Sequence, residues 1–279
     1  MPESRSAMPP ILMDKHHASP SVFTPEGLLR EARRQKALPA ATVPSVCVLD
    51  PDGDLVRRLI AEGAGERVPS WACYHTELYR AECAGIELGL VGSAVGGPFA
   101  VLVAEQLFAS GCRFLISMTS AGQLNVVRPP PYFVLIERAL RDEGTSYHYL
   151  APATFSEAPQ SVTSLMGGAF DGLGIAVERG ATWTTDAPFR ETAAAVEAMR
   201  SRGLLAVEME AAALYAFATA RKKLVLCLVH VTNQMAQVHG DFEKGEADGT
   251  VQALTVILAA ARRFLRSLET APSSCAPKG

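Results

Sequence analysis

The sequence predicts an α/β fold, strands alternating with helices that pack on their sheet. Apolar runs of strand length at 43–49, 86–91, 114–118 and 223–231 end in short polar or glycine-rich turns. Two of them, 43–49 and 86–91, lead through their turn directly into helix-like segments at 55–60 and 99–110. The chain has 279 residues, 48% of them hydrophobic, and a net charge of -3, which suits one sizeable core.

Residues 1–20 are proline-rich, polar and aperiodic, and read as a disordered tail. Thr24-Pro25-Glu26 then signals a helix start: Thr24 as N-cap, Pro25 at the first position and an acid in the first turn. That helix runs to about Lys36. The strand at 43–49 meets Asp50-Pro51-Asp52-Gly53-Asp54, a turn at a strand's carboxyl end, where open sheets keep their ligands. Its three aspartates oppose an anion there, whereas Arg57 and Arg58 favour one. Two short strands are expected at 71–74 and 79–84.

The strand at 86–91 leads into Gly92-Ser93-Ala94-Val95-Gly96-Gly97-Pro98 and a helix. Such a turn either presents bare N–H groups to an oxygen-rich ligand or only permits close packing. The strand at 114–118 ends in Thr119-Ser120-Ala121-Gly122-Gln123, so two strands joined by a helix deliver small polar loops to one edge. Further strands are expected at 132–136 and 175–178, with a short helix at 161–166 between them. The run Thr182–Thr192 mixes hydroxyls, aromatics and Arg190 in a way that suits a flat polar ligand, and a helix follows at 191–202.

Val207-Glu208-Met209-Glu210-Ala211-Ala212-Ala213 comes next and opens an apolar helix. Two acids at i and i+2 cannot share one helix face. One can enter a pocket while the scaffold holds the other, or both can simply favour a helix N-terminus. The strand at 223–231 ends in Thr232-Asn233-Gln234, and a last helix is expected at 248–268. Neither a repeat nor a linker interrupts residues 45–270, so residues 21–270 read as a single domain and 271–279 as a disordered tail.

The near-neutral charge leaves no electrostatic footprint for nucleic acid. No apolar run reaches the length of a membrane span. The six cysteines show no metal spacing and lie in or beside apolar runs, which predicts buried thiols, no metal and a reducing, cytoplasmic setting.

Gly96-Gly97-Pro98, Thr119-Ser120-Ala121-Gly122, Val207-Glu208-Met209-Glu210-Ala211 and Thr232-Asn233 resemble, in order and spacing, the nucleoside phosphorylase family. That family includes purine nucleoside phosphorylases, uridine phosphorylases and methylthioadenosine nucleosidases. The run Asp142-Glu143-Gly144-Thr145-Ser146-Tyr147-His148 looks most like the uridine phosphorylase branch. The resemblance implies a three-layer α/β fold whose central twisted mixed sheet partly closes into a barrel flanked by helices. It also implies cleavage of a nucleoside's N-glycosidic bond, by a homo-oligomer built from dimers (a trimer or hexamer in the family), with phosphate as co-substrate and no cofactor.

Carried over residue by residue, the resemblance makes Glu210 the acceptor of the ribose hydroxyls, orienting a sugar that becomes oxocarbenium-like. It puts Met209 on the sugar face and leaves Glu208 as a scaffold or ribose-side acid. Thr119 would sit between sugar and nucleophile, Ser120, Ala121 and Gly122 would line the sugar and base pocket, and Gly96 would be a further substrate-binding position. Residues Thr185 to Arg190 would lie over the base, with Phe189 or Pro188 as wall and Arg190 as donor. Asn233 would hydrogen-bond the leaving base, without a full proton to give.

The family's phosphate motifs are altered. Its Gly-Asp-Pro-x-Arg turn reads Gly53-Asp54-Leu55-Val56-Arg57 here, which keeps Gly53 and Arg57. A second arginine position is Ile116, and a His-Arg-Glu run reads His75-Thr76-Glu77. A phosphate dianion needs charge-assisted donors. The branch resemblance and the retained Arg57 make phosphorolysis the leading expectation, and the two missing arginines speak for water instead. Hydrolysis by a nucleosidase is the alternative, with Glu208, Glu26 or Glu31 activating water. A non-catalytic nucleoside-binding module is the third reading.

Overall fold

The computed structural model describes residues 8–235 and 240–270. In order these form α1 (Pro25–Lys36), β1 (Val46–Asp50), α2 (Asp54–Ala61), β2 (Gly65–Arg67), β3 (Tyr79–Cys83), β4 (Ile86–Gly92) and α3 (Gly97–Ala109). Then come β5 (Phe114–Gln123), β6 (Tyr132–Asp142), β7 (Phe155–Glu157), α4 (Gln160–Leu165) and β8 (Val177–Thr185). The chain continues through α5 (Ala193–Ser201), β9 (Ala206–Glu208), α6 (Ala211–Arg221), β10 (Leu224–Asn233) and α7 (Thr250–Thr270).

The strands form one mixed sheet in the order β10-β6-β8-β9-β5-β1-β4-β3-β2, with β7 on β6. A further parallel pairing of β10 with β5, from Leu224 opposite Phe114 to Asn233 opposite Gly122, joins two strands far apart in that order. It closes β10, β6, β8, β9 and β5 into a barrel, and β1, β4, β3 and β2 extend from it as an open wing. Closure explains why β5 and β8 run longer than their apolar runs predict. Thr119–Gln123 and Ala181–Thr185 keep ladder partners on the barrel's rim, although their side chains are partly polar.

Helices cover both faces of the sheet. On one face α3 and α6 bury Ala100, Val101, Val103, Ala104 and Leu107 against Ala211–Ala218 and the strands. On the other, Leu55, Val56 and Leu59 of α2, Val162 of α4 and Val256, Ile257 and Phe264 of α7 meet Val46, Val48, Ile116 and Leu226. The core of α6 is apolar on every side, which fits a helix with no solvent face. Its alanines let α3 come close: a Cβ added to Gly97 would lie 2.9 Å from Ala213 Cβ. Gly97→Ala is therefore expected to lower unfolding free energy by about 1–3 kcal/mol, read as a shift in the denaturant midpoint. An unchanged midpoint would show that the α3–α6 contact can relax.

The α1 start is as expected, with Thr24 Oγ1 accepting the Gly27 N–H at 3.1 Å. Other details differ. No strand forms at 71–74: Trp71, Ala72 and Cys73 are buried in a loop, with Ala72 packed under Leu29 and Ala32 of α1. Packing against a helix, not strand pairing, accounts for that apolar run. The short edge strand is β2, paired antiparallel with β3.

Residues 8–20 include a 3-10 turn at Pro10–Leu12, and His17 Nε2 lies 3.1 Å from Tyr147 O. The rest of that expected tail, residues 1–7, lies outside the described residues, as do 271–279 and Cys275. Cys47, Cys73, Cys83, Cys112 and Cys227 are unpaired and buried. Among the described residues no helix is long and apolar enough to cross a membrane.

Candidate active site

The turn between β9 and α6 holds the two acids, and it separates their roles. Thr184 of β8 is paired with Glu208 of β9. Glu208 Oε1 accepts the hydroxyls of Thr182 at 3.1 Å and Thr184 at 2.5 Å. Its Oε2 accepts the backbone N–H of Glu210 and of Ala211, both at 2.7 Å. Thr184 Oγ1 also accepts the Ala212 N–H at 3.0 Å. Glu208 thus caps α6, whose first N–H groups have no partner within the helix. It is the scaffold acid.

Glu210, at the N-cap position, makes no such cap. Its Oε1 accepts the Gly96 N–H at 2.7 Å and its Oε2 the Met209 N–H at 3.3 Å. The glycine-rich turn after β4 does offer a bare N–H to an oxygen acceptor, and the acceptor is the protein's own Glu210 carboxyl. Burial raises both acids. At Glu208 the four donors oppose that rise, whereas at Glu210 the Glu208 charge adds to it and the carboxyl is pushed up to about 8.

Glu210 lines a cleft of ≈ 380 Å³ together with Thr119, Ser120, Ala121, Gly122, Phe189, Glu208, Met209 and Asn233. Nine of the expected positions therefore share one hollow at the carboxyl ends of β5, β9 and β10. Asn233 is tied locally: its Oδ1 accepts the Met235 N–H at 2.9 Å and its Nδ2 donates to Thr232 Oγ1 at 3.2 Å. Phe189, 99% exposed, and Phe242, 59% exposed, stand at the mouth, where an aromatic face is available to a flat base.

Five expected positions lie elsewhere. Gly96 acts from behind, through Glu210. Gly53 and Arg57 line a neighbouring hollow of ≈ 330 Å³ with His75 and Ser93. Arg57 donates to Asp52 O at 3.1 Å and is ion-paired with Asp54. Thr185 is buried and accepts the Ala187 N–H at 3.2 Å. Arg190 is exposed on the 3-10 turn Pro188–Arg190 and does not line the cleft; Asp186 accepts the Gly144 N–H instead of pairing with it.

Two acids of the cleft were not singled out from the sequence, Asp52 and Glu191. Asp52 lies in a turn whose place at a strand end suits a ligand but whose three aspartates read only as opposing an anion, and Glu191 reads as the first residue of a helix. Asp52 accepts Ser120 Oγ at 3.0 Å and Ser120 N–H at 3.1 Å. Lys244 Nζ is 3.7 Å from Asp52 Oδ2 and ion-paired with Asp54. Glu191 is half-buried, and burial pushes its carboxyl up to about 7. Asp50, behind the turn, accepts the Val56 N–H at 2.9 Å and is pushed up to about 6 by burial. Among the described residues no group of histidine, cysteine and acid side chains could hold a metal ion.

A solved uridine phosphorylase from Vibrio fischeri ES114, complexed with 6-hydroxy-1-naphthoic acid, superposes with a TM-score of 0.67 at 18% identity. The match covers 81% of this chain and 92% of that one. A second structure of the same enzyme gives 0.66 at 19%, covering 81% and 93%. These likenesses show the fold. A curated uridine phosphorylase from Thermococcus kodakarensis is 28% identical over 146 residues, 48% of this chain and 52% of its own length. The chain thus spans about half the length of that curated relative. The model of the phosphorylase superfamily matches residues 45–266, a stretch that holds every element from β1 nearly to the end of α7, and the chain belongs to that superfamily, as a member of its nucleoside phosphorylase family.

Proposed function

We propose that the protein cleaves the N-glycosidic bond of a nucleoside with water as the acceptor. One observation carries the choice of acceptor. The cleft is lined by four carboxyl groups, Asp52, Glu191, Glu208 and Glu210, and by no lysine, arginine or histidine among the described residues. A phosphate dianion brought into it would find none of the charge-assisted donors it needs. A developing oxocarbenium ion meets the opposite situation, since carboxyl groups lining the sugar site offer oxygen dipoles and can ionise as positive charge grows beside them.

In this reading Glu210 grips the ribose hydroxyls and Met209 packs on the sugar. Thr119, Ser120, Ala121 and Gly122 form the floor, and Phe189 with Asn233 attends the base. Phosphorolysis is the second reading, favoured by the activity named for the relatives. It would need Arg57, now paired with Asp54, to turn out of its own hollow. The reaction needs no cofactor. We carry over the homo-oligomer from the family resemblance as part of the proposal, with a nucleoside rather than nucleic acid or membrane as partner.

The test measures free base from uridine, inosine and adenosine with and without phosphate. Equal release in both, with free ribose as the sugar product, is the expected result. Release only with phosphate, yielding ribose 1-phosphate, would overturn the reading.

A further inference from the structure

We propose that Asp52 and Glu191 are the general base and general acid of this reaction, placed on opposite flanks of the bound nucleoside. The assignment rests on the hydrolytic reading above and names the groups that move its protons.

The two residues reach the cleft from different sides. Asp52 sits between β1 and α2, Glu191 between β8 and α5. In the sheet order β1 and β8 are separated by β9 and β5, and the β9–α6 turn that carries Glu210 lies between them. A ribose held by Glu210 therefore has Asp52 on one flank and Glu191 on the other, beside Pro188 and Phe189 on the base side.

Their surroundings suit opposite tasks. Both oxygens of Asp52 accept from Ser120, at 3.0 and 3.1 Å, which fixes the carboxylate against β5. Each oxygen keeps acceptor capacity for a water molecule. The charged groups that face Asp52 are Lys244, Asp50 behind the turn and Glu210 in the same cleft. The Glu191 carboxyl makes no hydrogen bond to any described residue, and burial alone sets its shift. A carboxyl balanced near neutrality can hold a proton and release it to a nitrogen.

The other candidates are otherwise engaged. Glu208 is saturated by four donors. Glu31 is paired with Arg30 and Arg34, and neither it nor Glu26 lines the cleft. Asn233 can hydrogen-bond a leaving base but cannot protonate it.

The step balances with water alone. A lone pair of the water oxygen forms the bond to C1′, and Asp52 takes the water's proton. The C1′–N bond breaks with its electron pair going to the base, where the nitrogen takes the proton from Glu191. Ribose and neutral base leave, and solvent carries the proton from Asp52 back to Glu191. A separation of two acids into base and acid roles is how inverting glycosidases place water opposite a leaving group.

The experiment compares wild type, Asp52→Asn and Glu191→Gln on inosine and on p-nitrophenyl riboside, whose phenolate leaves without a proton. Nucleoside-induced rise in melting temperature checks that each variant still folds and binds. Asp52→Asn is expected to slow both substrates by about 10²–10⁴-fold. Glu191→Gln is expected to slow inosine by a similar factor, to slow the nitrophenyl riboside far less, and to erase the fall of inosine kcat/KM above about pH 7. If the wild type hydrolyses inosine without phosphate but Glu191→Gln slows both substrates equally, or Asp52→Asn slows neither, the pair is overturned and hydrolysis stands. If the wild type needs phosphate, the hydrolytic reading falls and the pair with it.

Discussion

Replacing Glu210 with glutamine is expected to lower kcat/KM for nucleoside cleavage by about 10²–10³-fold, the loss typical of one fixed electrostatic partner in a transition state. The physical reason is the position of the carboxyl. It is only 2% exposed, is held by the N–H groups of Gly96 and Met209, and faces the same hollow as Thr119 to Gly122. Glutamine keeps the shape and one acceptor oxygen but cannot ionise, so it loses the charge that the carboxyl can gain as an oxocarbenium ion develops beside it. A rate within experimental scatter of wild type would remove Glu210 from the reaction.

The same substitution has a thermodynamic signature. In the folded protein the Glu210 carboxyl is pushed up to about 8 from an ordinary value of 4.5. The native state therefore holds a proton that the unfolded chain releases. Stability from this group is fully present below about pH 4.5 and is lost as pH rises through about 8. Glu210→Gln cannot titrate, so its advantage over wild type in chemical denaturation should grow with pH across that window. Glu191, pushed up to about 7, has the same sign and stays in both proteins, so it cancels in the difference, which reads Glu210 together with its interaction with Glu208.

How much of this was legible in the sequence depends on the kind of residue. The alternation of apolar runs and glycine or hydroxyl turns fixed the α/β class, and Thr24-Pro25 placed α1 to the residue. The Glu208–Glu210 spacing foretold two acids with different orientations. Barrel closure was expected only from the family resemblance and was not legible in the residue pattern itself. It depends on β10 meeting β5 across more than a hundred residues, and the polar ends of both strands look like loops to a local reading. Arg190 and Glu191 show the same limit at the site. They are adjacent in sequence, yet a 3-10 turn leaves Arg190 exposed while Glu191 faces the cleft. Chemistry alone favoured the arginine, and only the turn decides.

Glu208→Ala is expected to destabilise the fold by about 4 kcal/mol or more, because four buried donors lose their acceptor and each unsatisfied group costs about 1–3 kcal/mol. Glu208→Gln is a gentler change for a specific reason. Its carbonyl oxygen can take the Oε2 position, where the N–H groups of Glu210 and Ala211 cannot reverse their role. Its NH2 then meets Thr182 and Thr184, whose hydroxyls can accept as well as donate. That variant should fold, and it deletes the charge that helps raise Glu210. The Glu210 carboxyl should then titrate at lower pH, so the loss of stability with rising pH moves in the acid direction relative to wild type. Denaturation at several pH values checks both variants. A Glu208→Gln protein whose pH profile coincides with wild type would mean that burial alone sets the Glu210 proton. The scaffold acid would then support the site only by holding α6 in place.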